Sequence, residues 1–264
     1  MMLAAARQNA IVARVRERGT VRVTELASML SVSEMTIRRD IEVLAGDGLL
    51  DRVHGGAKLP GGLRTDEPGF ETKFELEERE KEAIAREGLS FAQPGAAIGL
   101  SAGTTTWRLA RLLLTVPRLT IVTNSVQIAS VFYQHTADVV GAPQVILTGG
   151  EHTPSDALVG PIAISALRQL HLDTLFLGVH GMDEGVGFTT PNLLEAEANR
   201  AFIAAARRVV VLADHTKWGT IGMSTFAKLE EASVVISGDG LSTHAREVLS
   251  ARAGELRLVS PATR

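Results

Sequence analysis

Apolar residues recur at Ile11, Val12 and Val15 between Arg7 and Glu17, a spacing that predicts a helix, and Gly19 stops it. The next residues, TVRV (20–23), are too few and too β-branched for a helix and read as a short strand. Thr24 is placed to cap a second helix, TELASML, before the SVS break restarts the chain at Ser33. In the third helix Ile37, Ile41 and Leu44 form one stripe. LLDRVHGGAKL (49–59), two short apolar-rich runs around His54-Gly55-Gly56, reads as a β-hairpin. Three helices followed by a hairpin predict a winged helix-turn-helix over residues 1–59.

Residues 60–69, PGGLRTDEPG, have no periodicity, two prolines and three glycines, the composition of a linker. From Phe70 to about Leu89 a charged helical stretch follows, so that residues 60–77 are expected to be linker and lead-in helix. Beyond it one pattern repeats: a β-branched or apolar run, a polar turn, a helix. The runs are AAIGL (96–100), LTIV (119–122), QVIL (144–147), TLFLGV (174–179), RVVVLA (208–213) and SVVIS (233–237). They predict a larger α/β domain with a mainly parallel sheet over residues 78–264.

Composition narrows the chemistry. With 264 residues, 45% hydrophobic and 22% charged, the chain has the make-up of a folded protein of about two domains. Apolar runs fall well short of the ~20 residues of a bilayer span, and no basic-then-apolar segment opens the chain, so a cytoplasmic protein with no membrane partner is expected. The absence of cysteine excludes disulfides, thiolate catalysis and cysteine-ligated metals. Seven histidines without an HxH or HxxxH pair point to no metal and no cofactor. Residues 1–60 hold nine Lys/Arg against seven Asp/Glu, or +2, which leaves −5 of the net −3 for the rest. The basic excess sits at the helical end.

That excess includes Arg38 and Arg39, side by side on the third helix. At 100° per residue Arg39 lies nearly opposite the Ile37–Leu44 stripe, with Thr36 and Arg38 flanking it. Both arginines are therefore off the packed face. They suit guanine edges and phosphates if the helix enters a DNA major groove, or they form a solvated face paired with Glu34 or Glu42. A helix that follows a turn after another helix and precedes a wing favours the groove.

The segment TVRVTELASMLSVSEMTIRRDIEVLAGDGLLDRVHGGA resembles the DNA-binding head of the DeoR (deoxyribose-operon repressor) family, through ELA at 25–27, VSxxTIRRD at 32–40 and HGGA at 54–57. The resemblance implies that Ser33, Thr36, Arg38 and Arg39 sit in the groove of a double-stranded operator, with Arg52 and His54 on the wing near the backbone.

In IGLSAGTTTWRLARLL (98–113) a strand ends at Leu100 and a helix begins around Thr104, so that backbone amides and three threonine hydroxyls form either an anion cradle or an ordinary capped turn. Similar turns follow at VTNS (122–125) and at LTGG (147–150), whose Gly149 and Gly150 join the candidate pocket. In a parallel sheet all three lie at the carboxyl ends of strands, the usual ligand edge.

From residue 7 to about 240 the chain resembles the DeoR family, whose effector domain is similar to ribose-5-phosphate isomerase and CoA-transferase-like folds. The resemblance implies that Gly103, Thr104, Thr105 and Thr106 hold the phosphate of a sugar phosphate, with Thr123, Asn124 and Ser125 nearby. Asp183, Glu195 and Lys217 would approach the rest of that ligand. Two positions depart from the family pattern: Ser101 stands where relatives commonly have an aspartate, and Asn199 where many have a lysine. The ligand class carries over, and the individual ligand does not. The leading expectation is a repressor-type regulator of carbohydrate genes, with no catalytic residues, acting as a homodimer or homotetramer under a phosphorylated-sugar effector. The alternatives are a sugar-phosphate isomerase with an accessory DNA-binding head, using Glu195 or Asp183 as base and Lys217 as electrostatic partner, and a constitutive DNA-binding protein whose body only dimerises.

Overall fold

A computed structural model describes residues 4–18, 20–46, 49–53, 55–58, 74, 76–135 and 141–261. The expected linker at 60–69 and His54 lie outside these residues. The chain divides into two compact units, Met1–Pro68 and Gly69–Arg264. No helix among the described residues is long and apolar enough to cross a membrane.

The first unit contains α1 (Ala4–Arg18), β1 (Thr20–Arg22), α2 (Val23–Leu30), α3 (Glu34–Gly46), β2 (Asp51–Val53) and β3 (Gly56–Lys58). Ile11 and Val15 of α1, Leu26 of α2 and the Ile37–Ile41–Leu44 stripe of α3 share one buried cluster with Val21 and Ala57. The wing has three strands, in the order β1-β3-β2. Gly56 is required there, because any Cβ would collide with the Val21 carbonyl of β1. Thr24 does not cap α2. The helix starts two residues earlier than such a cap would place it, with Arg22 at the cap position, and the Val23 N–H is taken by the Gly55 carbonyl at 2.9 Å. A wing carbonyl thus satisfies the first free N–H of the helix, and Val23 belongs to the helix and not to the strand.

Asp40, on the buried side of α3, accepts from the Arg7 guanidinium of α1 at 2.5 and 3.1 Å and from Gln8 at 3.3 Å. Buried charge persists when it is paired and hydrogen-bonded, and here the pair fixes α1 against α3. The hydrophobic pattern gives no hint of it.

The second unit opens with α4 (Glu78–Leu89); of the expected Phe70–Leu89 helix, residues 70–73 and 75 lie outside the described set. Seven parallel strands follow: β4 (Ala97–Leu100), β5 (Thr120–Thr123), β6 (Gln144–Leu147), β9 (Thr174–Gly178), β12 (Val209–Leu212), β14 (Val234–Gly238) and β15 (Leu256–Val259). They lie side by side in the order β15-β14-β12-β9-β4-β5-β6. All six expected runs are present, and LRLV at the edge is an addition. Helices cover both faces, which is why the strands read as continuous apolar runs. On one face α4, α5 (Thr104–Leu113) and α6 (Val126–His135) bury Ile84, Leu109 and Phe132 against Phe176, Val210 and Ile236. On the other, α7 (Pro161–Leu167), α8 (Leu193–Ala205) and α9 (Thr243–Arg252) bury Leu167, Phe202 and Leu249 against Leu175, Val211 and Val235. Two small antiparallel sheets were not expected: β7 (Glu151–His152) with β8 (Leu158–Val159), and β10 (Gly181–Asp183) with β11 (Gly187–Thr190) and β13 (Ser224–Ala227).

Candidate functional site

On the first unit the candidate surface is the outer face of α3. The Ser33 hydroxyl accepts from the Thr36 N–H at 3.2 Å and bonds the Thr36 hydroxyl at 2.9 Å, which caps the helix at its first turn. Ile37 and Ile41 are buried, whereas Arg38 and Arg39 are exposed. Arg38 lies 3.4 Å from Glu34 and Arg52 lies 3.0 Å from Glu42, all with half-exposed or more exposed side chains, so neither pair holds its arginine firmly. Exposed pairs of this kind exchange readily for phosphate oxygens.

On the second unit the parallel direction of the sheet brings the loops after each strand to one edge. These loops are stitched together. The Ala102 N–H donates to the Asn124 Oδ1 at 2.9 Å, the Gly178 N–H donates to the Ser101 Oγ at 2.9 Å, and the Thr123 hydroxyl donates to the Leu100 carbonyl at 2.7 Å. Asn124 also donates to the Leu158 carbonyl at 3.1 Å, and Ser125 donates to Asp156 at 2.6 Å. Ser101, Thr123, Asn124 and Ser125 thus hold the loops in place.

Gly103 precedes the first turn of α5, and Thr104, Thr105 and Thr106 are all buried. The Thr106 hydroxyl donates to the Gly103 carbonyl at 2.9 Å. Thr104 and Thr105 have no such intrahelical role among the described residues, and with the amides of the first turn they are the groups suited to an anion. Gly150 is needed for a different reason: its φ of +121° and the collision of any Cβ with the Val159 carbonyl admit only glycine. Gly149, φ +73°, makes the turn beside it.

The charged groups gather between α4 and the loop after β12. Asp214 is buried, accepts from the Thr216 N–H at 3.1 Å, and lies 4.0 Å from Lys217. Burial alone would raise its carboxyl, but Lys217, Lys81, the Thr216 hydroxyl and His215 outweigh burial and hold it down to about 2. Lys81 of α4 is buried as well. Burial pushes its ammonium down to about 8, against the attraction of Asp214 and with further repulsion from Lys217 and Arg108. Glu80 accepts from the His215 backbone N–H at 2.6 Å and from the Gly238 N–H at 3.1 Å, and meets the His215 ring at 2.6 Å. That bond raises the His215 pKa against burial. Glu77, Glu80 and His215 could gather round a cation, with ligand atoms within 4.8 Å of one another. Lys81 feels the negative charge of Asp214 and Glu77 and the positive charge of Lys217 and Arg108, so the charges gathered here are of mixed sign.

Two expected contacts have structural work of their own. The Asp183 carboxylate accepts from the Gly185 N–H at 2.8 Å and the Val186 N–H at 3.3 Å and so closes the β10–β11 hairpin. The buried Glu195 carboxylate accepts from Thr153 at 2.8 Å, from Thr190 at 3.1 Å and from the Ser155 hydroxyl, joining α8 to the β7–β8 arm. Lys81 and Asp214 were missed by sequence reasoning. A lone lysine in a charged helix looks solvent-facing, and only the packing of α4 on α5 and β14 reveals its burial. One turn into α5, Trp107 meets Phe74 edge-on at 5.1 Å between ring centres, and Arg108 donates to the Phe74 carbonyl at 3.1 Å. Phe74 is the first described residue after the linker, so the chain leaving the linker is gripped next to the threonine turn.

Comparison with known proteins fits both units. Residues 7–61 match the family model of the DeoR-like helix-turn-helix domain, and residues 76–239 match that of the DeoR C terminal sensor domain. The HTH-type transcriptional regulator GlpR of Haloferax volcanii is 34% identical over 93% of this chain and 94% of its own length. The glycerol-3-phosphate regulon repressor of Escherichia coli (strain K12) is 33% identical over 87% of this chain and 88% of its own. Among solved structures, ribose 5-phosphate isomerase A of Methanocaldococcus jannaschii shares 17% identity over 52% of this chain and 53% of its own, with a TM-score of 0.38, too slight a likeness to bear on activity.

Proposed function

The chain belongs to the DeoR family of transcription regulators, and from that premise we propose that it represses carbohydrate genes under the control of a phosphorylated sugar. Residues 1–59 bind the operator, 60–77 connect, and 78–264 sense the effector and oligomerise. A single small head makes few DNA contacts, which favours an even-numbered homo-oligomer, dimer or tetramer, on repeated half-sites.

The observation that supports the effector assignment is that the helix start with its two buried hydroxyls and the loop bearing Asp214 and Lys217 both follow strands at the carboxyl edge of one sheet, while α4, packed on α5, sets the buried Lys81 by Asp214 and Lys217. Thr104 and Thr105 with the amides of α5 bind the phosphate, Lys81 and Lys217 neutralise it, and Asp214 holds both lysines. Asn124, Ser101 and Gly178 frame the pocket; Glu195 and Asp183 shape its surroundings. Occupancy at Thr104 is transmitted through Trp107 and Arg108 to Phe74 and so to the linker. The isomerase alternative finds less support, because the carboxylates it would use as bases are engaged by hydroxyls and amides.

On the DNA side Ser33, Thr36, Arg38 and Arg39 read the groove, with Arg52 and His54 on the wing. The test is a gel-shift titration of the full chain and its Arg38→Ala and Arg39→Ala variants on a duplex recovered from a random library. Loss of a guanine contact should cost about 1 to 3 kcal/mol at that base. Unchanged binding by both variants would remove α3 from the groove.

A further inference from the structure

Met35 is 77% exposed, more than any other large hydrophobic side chain among the described residues. A single exposed methionine is ordinary, but its position here is not. On α3 it lies about 160° around the helix from the buried Ile37 and about 40° from Arg39, at the centre of the outward face. It belongs to the first turn of that helix, next to the Ser33 cap, and it is flanked by Arg38 and Arg39. The other exposed large apolar groups of the unit stand elsewhere: Met29 lies in the last turn of α2, and Val43 in the second half of α3. The first turns of a recognition helix are the part that meets base edges.

Guanidinium and hydroxyl groups read donors and acceptors, whereas carbon at a base edge is read by an apolar group. The one apolar feature that a major groove offers at a base edge is the C5-methyl group of thymine. We propose that Met35 is a specificity-determining residue which packs its flexible thioether side chain against a thymine methyl within each half-site. The positive charge on both sides of Met35 fits a DNA surface and not an apolar protein partner. An unbranched, polarizable side chain suits the task, because it can follow the methyl while the arginines fix the register on phosphates or guanines. The proposal rests on the placement of α3 in the groove.

Deoxyuridine pairs as thymidine does and lacks only the methyl group, so it isolates the contact. With full-length protein and the selected duplex, each thymine is replaced singly by deoxyuridine and binding is measured by fluorescence anisotropy. One replacement per half-site is expected to weaken the wild-type protein about fourfold, the ratio given by losing one buried methyl at ~0.8 kcal/mol. Met35→Ala removes the contact from both protomers of a dimer, so it should bind the thymine duplex about sixteenfold more weakly, and it should lose nothing further on the deoxyuridine duplex. The exposure of Met35 means that this variant folds, which its melting temperature checks. Wild-type protein indifferent to every replacement, a selected half-site without a fixed thymine, or a Met35→Ala variant that keeps the full deoxyuridine penalty would each overturn the assignment. If Arg38→Ala and Arg39→Ala still weaken binding, the failure is confined to Met35; if they do not, or if no duplex is selected, the recognition helix itself has been misplaced and the Met35 contact falls with it.

Discussion

Effector binding should take up protons, and the amount follows from Lys81. Its ammonium is held down to about 8 by burial, so at pH 8 about half of the empty sites carry a neutral lysine. A sugar phosphate is fully ionised there, its second pKa being about 6, and its charge favours the ammonium form. Binding should therefore draw in about 0.1 proton at pH 7, about 0.5 at pH 8 and about 0.9 at pH 9. Affinity should fall about tenfold per pH unit above 8, up to a ceiling of about 3 kcal/mol set by the distance from about 8 to the free value of 10.5. Titration calorimetry in two buffers of different ionisation enthalpy measures the uptake, using the phosphorylated sugar that most raises the melting temperature. Lys81→Met should bind more weakly and with no proton uptake in this range. The same lysine makes a sign prediction for the empty protein: the unfolded chain keeps its proton up to 10.5 while the fold gives it up near 8, so this residue's contribution to stability rises with pH between the two. Zero uptake at both pH 8 and pH 9 in the wild type would refute the placement of the phosphate beside Lys81.

Replacing Thr104 and Thr105 together by valine keeps shape and removes two buried hydroxyls, and should weaken phosphate binding by about 1 to 3 kcal/mol while the domain stays folded; calorimetry with the same sugar phosphate checks it. Trp107 fluorescence should shift saturably with that sugar phosphate and not with the unphosphorylated sugar, and Phe74→Ala should alter the signal, since the two rings touch. The Glu80–His215 bond raises the histidine pKa, so its stabilisation is complete below about 6.5 and is lost as pH rises through the folded value. The melting-temperature gap between wild type and Glu80→Gln should shrink over that rise. Purified protein should show no isomerase turnover of ribose 5-phosphate; turnover that disappears in Glu195→Gln would restore the enzyme reading.

Most of the fold was legible because period and burial agree. The stripe Ile37–Ile41–Leu44 and the six apolar runs are each dictated by a buried face that nothing else in the chain could fill. What stayed hidden depends on contacts distant in sequence. The Arg7–Asp40 pair spans two helices, the start of α2 depends on a carbonyl from the wing, and LRLV is too mixed at its half-exposed edge to look like a strand. The site divides in the same way. Its glycines and hydroxyls were legible from the strand-turn-helix pattern, whereas Lys81 and Asp214 acquire their character only from being packed together out of water. Thr123, Asn124 and Ser125 were expected near a ligand, and their hydrogen bonds tie the loops at the strand ends together.

Coupling of a phosphate site to an operator in one molecule is read directly from the dissociation constant of the full chain for its selected duplex, with and without the sugar phosphate that stabilises it. Such coupling should shift it about fivefold or more, the lower end of usual coupling energies, and the shift should disappear in Lys81→Met while binding of that variant to the bare duplex is kept. Equal dissociation constants with and without the bound sugar phosphate would contradict it, leaving a DNA-binding protein whose second domain senses nothing that the first responds to.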